Sequence, residues 1–325
     1  MRIGFVGLGA MGAPMAARMV AAGHEVRGFD MRPAAVEALV AAGGLAAASA
    51  RDAAAGADLL WLMVVDGRQA EAVLFAQSSV GGSAGHADGT AEANGTAGAA
   101  AHGDGGAAAG AIDALAPGAV IIAACTQAPA QAAALAARVA AVGCTLLDAP
   151  VSGGVAGALA GTLSVMCAGP QAALDIARPA FNAVAARVFH VGTEAGLGST
   201  AKMVNQLLCG VHIAAAAEAM HVAERAGIPL ARMHEIISVS AGHSWMWGDR
   251  GPRMMMDEPP VTSAVDIFVK DLGIVLDQGR RARQGLPLAA AAMQMFLAAS
   301  GLGHGGADDS QVIRAYRALN GKGAS

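Results

Sequence analysis

The chain is short of charge and shorter still of aromatic rings. Asp, Glu, Lys and Arg make up 14% of its 325 residues, and Phe, Trp and Tyr only 3%. With so few basic residues and a net charge of −4, nothing points to nucleic acid, whose binding needs clustered Lys and Arg. Cysteine is scarce as well. Cys125, Cys144, Cys167 and Cys209 lie far apart and form no Cys-x-x-Cys pair, which argues against zinc ligation and a disulfide framework, and no metal is expected. Buried, reduced thiols in a cytoplasmic protein are expected instead. No stretch supplies the roughly eighteen unbroken apolar residues of a membrane span. The best candidate, Leu207 to Met220, is interrupted by His212 and Glu218. Met1-Arg2 leads straight into Ile3-Gly4-Phe5-Val6, so no signal peptide is expected. Hydrophobic residues reach 55%, but the excess is largely alanine, which suits close helix packing in a soluble protein.

What is present alternates in a regular way. Strand-like runs at Arg2 to Val6, Glu25 to Phe29, Leu59 to Val64, Ala119 to Ala123 and Thr145 to Asp148 are separated by helical patterns. Those patterns are Ala13 to Ala22, Pro33 to Ala42, Asp66 to Leu74 and Ala128 to Val142. Two more strands, near Leu163 to Cys167 and Val188 to Val191, flank a helix at Ala172 to Val184. This rhythm predicts an α/β fold with a doubly wound parallel sheet of Rossmann type. Residues 77–111 break it: almost all Gly, Ala, Ser, Thr, His and Asp, they read as a low-complexity insertion and a flexible surface loop. After Gly192 the pattern becomes nearly all helix, beginning with a long one from Ser199 to Ala226. Shorter ones follow at Leu230 to Ser240, Ser263 to Gln284, Pro287 to Ser300 and Asp309 to Leu319. We expect an α/β domain over 1–193 and an all-α domain over 194–325 that serves oligomerisation, assembled as a homo-oligomer.

Gly7-Leu8-Gly9-Ala10-Met11-Gly12 fits the dinucleotide fingerprint in position as well as in letters, because a strand feeds it and a helix follows. Gly7 permits the tight turn, Gly9 lets backbone approach a pyrophosphate, and Gly12 lets helix pack on strand. Pro14 falls in the first helical turn, where a missing N–H costs least. Asp30 ends the second strand about twenty residues on, placed to accept ribose hydroxyls and repel a 2′-phosphate. The expected cofactor is NAD, with Arg32 nearby as a softening influence. Met63, Val64 and Thr126, at strand ends, should line the cofactor crevice.

Four blocks, in order, resemble the β-hydroxyacid dehydrogenase family: GFVGLGAMGAPMA at the start, DAPVSGG at Asp148 to Gly154, GLGSTAKMVNQ at Gly196 to Gln206, and DIFVKDL at Asp266 to Leu272. The resemblance covers nearly the whole chain outside 77–111. It implies that Ser152, Gly153 and Gly154 hold a substrate carboxylate, that Lys202 is the catalytic acid and base, and that Lys270, with Asp271, reaches the nicotinamide end of the cofactor. Phe268 is expected near the cofactor too. Gln206 stands one turn after Lys202, where the family usually has asparagine, and would hydrogen-bond the substrate. That residue, with Cys209 to Met220 and Ser244-Trp245-Met246, resembles the L-threonate dehydrogenase branch. Hydroxyisobutyrate oxidation and tartronate semialdehyde reduction remain open alternatives, as does a catalytically silent dinucleotide-binding module. His212, His243 and Ser244 are further polar candidates toward a hydroxylated substrate.

Overall fold

The structure, a computed structural model, describes residues 1–76 and 109–320. Its strands are β1 (Arg2–Val6), β2 (Glu25–Phe29), β3 (Leu45–Ala46), β4 (Leu59–Leu62), β5 (Val120–Ala123), β6 (Thr145–Asp148), β7 (Val151–Ser152), β8 (Leu163–Ala168) and β9 (Ala185–Gly192). The helices of the first half are α1 (Gly12–Ala21), α2 (Pro33–Ala41), α3 (Ala50–Ala54), α4 (Gly67–Phe75), α5 (Pro129–Ala141), α6 (Gly154–Ala160) and α7 (Gln171–Val184). The second half is helical: α8 (Leu197–Arg225), α9 (Leu230–Ser238), α10 (Trp245–Met254), α11 (Val265–Ala282), α12 (Pro287–Ala299) and α13 (Ile313–Asn320).

Among the described residues all nine strands join one sheet in the order β3-β2-β1-β4-β5-β6-β8-β7, with β9 paired to β8. From β3 to β6 every pairing is parallel. Both faces of such strands are covered, which is why β4 (Leu-Leu-Trp-Leu) and β5 (Val-Ile-Ile-Ala) are apolar and buried throughout. Beyond β6 the sheet reverses: β8 runs antiparallel to β6 and β7, then parallel to β9. The few aromatic side chains are concentrated in the core. Phe5 stacks on Trp61 at 6.0 Å between ring centroids, and Trp61 meets Phe181 edge-on at 5.3 Å.

A second core lies among the helices, around Ile213, Met220, Trp247, Leu272 and Phe296. Its axis is α8, 29 residues long and apolar enough over one window to cross a membrane by length and composition alone. The helix is nonetheless half buried inside the protein: its N-terminal end packs on β6, β8 and β9, and the rest on α9 to α13. That is the environment of a core helix.

Several short elements escape the sequence pattern. β3 and β7 have two residues each, and α6 (Gly-Val-Ala-Gly-Ala-Leu-Ala) carries no periodic apolar face. Helix α10 contains Gly248, Gly251 and Pro252, poor helix formers, but Ser244 caps it by accepting from the Trp247 N–H at 3.1 Å. The expected helix at Asp309 to Leu319 begins as a 3₁₀ turn, Asp309–Val312, before α13. Of the insertion expected at 77–111, residues 77–108 lie outside the described residues. Its expected end overreaches: Gly110 and Ala111 are buried, and a Cβ on Gly110 would fall 1.9 Å from the Leu74 carbonyl oxygen. Close packing on α4, not loop character, governs those two residues.

Candidate active site

Strand register builds the first part of the site. Val6 pairs with Phe29 on one side and Leu62 on the other, so β1, β2 and β4 end at one level. Gly7, Asp30 and Met63 therefore stand side by side at the carboxyl edge, where open parallel sheets bind ligands. Leu62 pairs with Ala123 in turn, which brings the β5 end and half-buried Thr126 to the same edge as half-buried Val64. Cys125, beside Thr126, is buried, and its thiol is pushed up to about 12 by that burial, so it stays protonated and inert.

The glycine loop has the shape of a phosphate cradle. Gly7 turns with φ +97°, and a Cβ there would lie 2.3 Å from the Met63 carbonyl oxygen. A Cβ on Gly12 would meet the Gly7 carbonyl oxygen at 1.9 Å, so both positions exclude any side chain. Gly9 differs: its Cβ would face open space, with Arg32 Nη2 nearest at 3.8 Å. Backbone is thus exposed there to a close ligand. Helix α1 opens at Met11 and Gly12 with no side-chain cap, which leaves its positive end for an anion. Leu8 and Ala10 complete the turn. These residues fit the pyrophosphate of a dinucleotide.

Asp30 Oδ2 accepts the Leu8 N–H at 2.7 Å, and its Oδ1 accepts the Arg32 N–H at 2.9 Å and Nε at 3.1 Å. Burial alone would raise this carboxyl, but the bonds from Arg32 and Leu8 outweigh it and hold the group below its usual range. Arg32 Nη2 also donates to the Leu8 carbonyl at 3.2 Å, so its guanidinium lies along the loop. The carboxylate that sequence reasoning assigned to a ribose is already engaged by its own neighbour.

The second part is carried by α8. Asp148, fully buried at the end of β6, accepts the Gly196 N–H (2.8 Å), the Ser199 N–H (2.8 Å) and the Ser199 hydroxyl (2.7 Å). It caps the helix from another element. Burial pushes its carboxyl up, the three bonds only partly opposing. Gly198 closes the joint, since a Cβ there would lie 2.2 Å from the Asp148 carbonyl oxygen and 2.6 Å from that of Met166. One turn further, Lys202 is buried at 8% exposure, and burial lowers its pKa from the usual lysine range despite the opposing charge of Asp271. Ser152 pairs with Ser164 of β8, two residues from Met166, so the Ser152-Gly153-Gly154 turn lies beside the seat of α8. Gly153 and Gly154 adopt φ +128° and +62°, and nothing would lie within 4 Å of a Cβ on Gly154. The turn is open as an anion concavity requires.

Gln206 is buried too, but its amide is committed: Nε2 donates to Asp271 Oδ2 at 2.5 Å, and Oε1 accepts from Asn205 at 3.0 Å. Lys270 Nζ donates to Asp271 Oδ1 at 2.6 Å. Burial would raise Asp66 at the start of α4, but the Gln69 N–H, Arg68 and the charge of Lys270 bring it below its usual range. Lys270 thus reaches across from α11 to the β4–α4 loop. Phe268, expected at the cofactor, stacks on Phe296 at 5.1 Å within the helical core. Ser244 serves as the α10 cap. Among the described residues no three His, Cys, Asp or Glu side chains gather to hold a metal. Sequence reasoning missed the Asp148 clamp, although an acid directly after the buried pair Leu146-Leu147 was its available signal.

Comparison with known proteins agrees with this arrangement. A family model described as the NAD binding domain of 6-phosphogluconate dehydrogenase matches residues 2–97 and 96–192. A second, described as NAD-binding of NADP-dependent 3-hydroxyisobutyrate dehydrogenase, matches 196–316. The L-threonate dehydrogenase of Cupriavidus necator is 41% identical over 97% of this chain and 95% of its own. That of Haemophilus influenzae is 38% identical over 98% and 96%. A crystal structure described as 3-hydroxyisobutyrate dehydrogenase from Salmonella typhimurium superposes with a TM-score of 0.83 at 40% identity, covering 96% of this chain and 98% of that one. A nucleotide edge, a lysine helix seated on it and relatives matched along nearly their whole length leave one assignment: the chain belongs to the 3-hydroxyisobutyrate dehydrogenase-like family of β-hydroxyacid dehydrogenases, NAD-dependent oxidoreductases that act on the CH–OH group of hydroxy acids.

Proposed function

We propose that this enzyme oxidises L-threonate to the corresponding 2-oxo acid with NAD, in a cleft between a cofactor domain (1–193) and a helical domain (194–325). The observation that carries the mechanism is Lys202, buried one turn beyond the Asp148 clamp with its ammonium form disfavoured. An amine in that state accepts the substrate hydroxyl proton as the carbonyl forms, and returns it in the reverse direction. When bound, the nicotinamide ring supplies the two-electron hydride acceptor for the carbinol carbon. Ser152, Gly153 and Gly154 hold the substrate carboxylate through a hydroxyl and backbone N–H groups. Gln206 gives one amide hydrogen to Asp271 and has a second to offer a substrate hydroxyl. Gly7, Leu8, Gly9, Ala10, Met11 and Gly12 cradle the pyrophosphate, Asp30 faces the adenosine ribose, and Met63, Val64, Thr126 and Lys270 border the nicotinamide end.

The substrate reading rests on the two relatives named for L-threonate, which match over nearly their full length. The Salmonella structure, of similar identity, is described by hydroxyisobutyrate and favours that acid as the second reading. Absorbance at 340 nm with NAD or NADP against L-threonate, D-glycerate, 3-hydroxyisobutyrate and L-serine decides between them. The highest kcat/KM is expected for L-threonate with NAD, and a preference for another acid by tenfold or more overturns the substrate reading. Val204, Leu208 and Val222 stand exposed along α8, a stripe that supports a homo-oligomer covering it. Light scattering after gel filtration tests that. Four free thiols, three of them buried, suit the reducing cytoplasm.

A further inference from the structure

Lysine is the rare cation of this chain. Of its 21 basic residues 18 are arginine, and the lysines are Lys202, Lys270 and Lys322. Lys322 lies outside the described residues; of the other two, Lys270 pairs with the Asp271 carboxylate and Lys202 feels its charge. Guanidinium stays charged in any protein setting, whereas an amine can be moved toward neutrality by its surroundings. Lys202 and Lys270 are thus, among the described residues, the cations whose charge can be tuned.

The carboxylate is that of Asp271, on α11 and 2% exposed. Its two oxygens are divided between the elements that meet there: Oδ2 takes the Gln206 amide of α8 at 2.5 Å, and Oδ1 takes Lys270 Nζ at 2.6 Å. Gln206 is fixed in turn by Asn205, whose Nδ2 donates to its Oε1 at 3.0 Å and to Cys209 Sγ at 3.4 Å. Lys202 precedes Gln206 by four residues and so shares its helix face. Burial is the largest influence on Lys202; Asp271 and Cys209 oppose it and Lys270 adds to it. Burial keeps Cys209 a neutral thiol, so Asp271 is the anion that acts. An ion pair that buries its carboxylate, as Lys270–Asp271 does, is seldom worth more to stability than an apolar pair of the same size, so stability alone gives little reason for it.

On the reading of Lys202 as general base, we propose that Asp271 is a positioning residue whose buried charge sets the protonation state in which Lys202 meets the substrate hydroxyl, while its bond to Gln206 holds the substrate-facing amide. Burial without a counter-charge leaves an amine that accepts the hydroxyl proton poorly in oxidation and has no proton to give in reduction. Asp271 restores part of that affinity, which makes one lysine serviceable in both directions.

The test is the pH dependence of kcat/KM for NAD-linked oxidation by Asp271→Asn, which removes the charge and keeps an acceptor for Gln206. The rising limb is expected to move about one pH unit toward acid, the scale on which a close opposite charge acts. Reduction of the oxo acid above that limb falls about tenfold, following the ammonium fraction. Gln206→Leu cuts the bond but leaves the charge, so its limb stays while KM rises. With three lysines, ε-13C-lysine NMR of the ligand-free protein follows Lys202 directly, its resonance assigned by loss in Lys202→Arg. A folded Asp271→Asn protein whose limb and Lys202 resonance do not move overturns the proposal. Unimpaired turnover by Lys202→Arg and Lys202→Met overturns instead the acid–base reading beneath it. If Asp271→Asn does not fold, Lys270→Met carries the test, because removing that cation shifts the limb toward alkali; an unmoved limb there is equally fatal.

Discussion

Gly198→Ala should uncouple α8 from the sheet, and its cost can be worked from the contacts. The added methyl would sit 2.2 Å from the Asp148 carbonyl oxygen and 2.6 Å from that of Met166, where ordinary contact begins near 3.4 Å. Both oxygens belong to the strand backbone, so no side chain can swing aside. Helix α8 must lift by roughly 1 Å, and overpacking of this kind costs about 3 kcal/mol, the upper end of its usual range. Asp148 then loses its grip on Gly196 and Ser199, and Lys202, one turn on, moves with the helix. A displacement of about 1 Å at a reacting group lowers turnover on the order of 100-fold. Urea unfolding followed by circular dichroism gives the stability, and NADH formation at 340 nm gives kcat. Gly210→Ala is the control, since the nearest atoms to its methyl would be those of the flexible Leu272 side chain, at 3.0 Å, and it should cost about 1 kcal/mol with kcat within a factor of a few. If Gly198→Ala matches wild type in both stability and kcat, the close seat of α8 is not what positions Lys202.

Other perturbations read the remaining parts of the site. Lys202→Met should lower kcat by at least about 100-fold while NADH fluorescence titration gives an unchanged Kd, separating proton transfer from cofactor binding. Asp30→Ala should weaken NAD and release Arg32 toward a 2′-phosphate; we expect the NADP-to-NAD ratio of kcat/KM to rise at least about tenfold, and an unchanged ratio would remove Asp30 from cofactor choice. Oxidation by the unmodified enzyme should rise with pH along a limb well below the ordinary lysine pKa, because burial favours the neutral amine; a limb at or above the ordinary value contradicts the buried setting of Lys202. Arg250 grips the fully buried Asp309 through Nε at 2.6 Å and Nη2 at 2.9 Å, so Arg250→Ala strands a carboxylate in the helical core. About 3–5 kcal/mol of stability should go with it, measured by urea unfolding.

The parts of this enzyme legible in its sequence are those built from neighbours in the chain. The Gly7 to Gly12 turn announces itself because the strand before it and the helix after it are contiguous, and Asp30 follows at a fixed interval set by one βαβ unit. Lys202 became visible only through the resemblance of its block, since a single lysine near a helix start carries no chemistry in itself. The clamp between Asp148 and Ser199 spans 51 residues and the Gln206–Asp271 bond spans 65, so neither leaves a periodic trace. Reading Gln206 as substrate-binding could not foresee that Asp271 already takes one of its hydrogens. Helix α10 was hidden by Gly248, Gly251 and Pro252, although Ser244 gave a capping signal three residues before the Trp247 N–H it satisfies. The end of the 77–111 segment was misjudged because a glycine chosen for tight packing, Gly110, has the same letter as one chosen for looseness.

The cross-element cap on α8 also bears on how this protein could be taken apart. A break between residues 193 and 194 would leave a first fragment with the Asp148 carboxylate sealed in an apolar strand end and deprived of these three donors. The second fragment would begin with the uncapped start of its longest helix and would carry the lysine without the sheet that orients it. Each piece holds the missing partner of the other, so co-expressed halves should associate and recover turnover, while either alone should be prone to aggregate. The two halves expected from the sequence should therefore, as folding units, depend on one another.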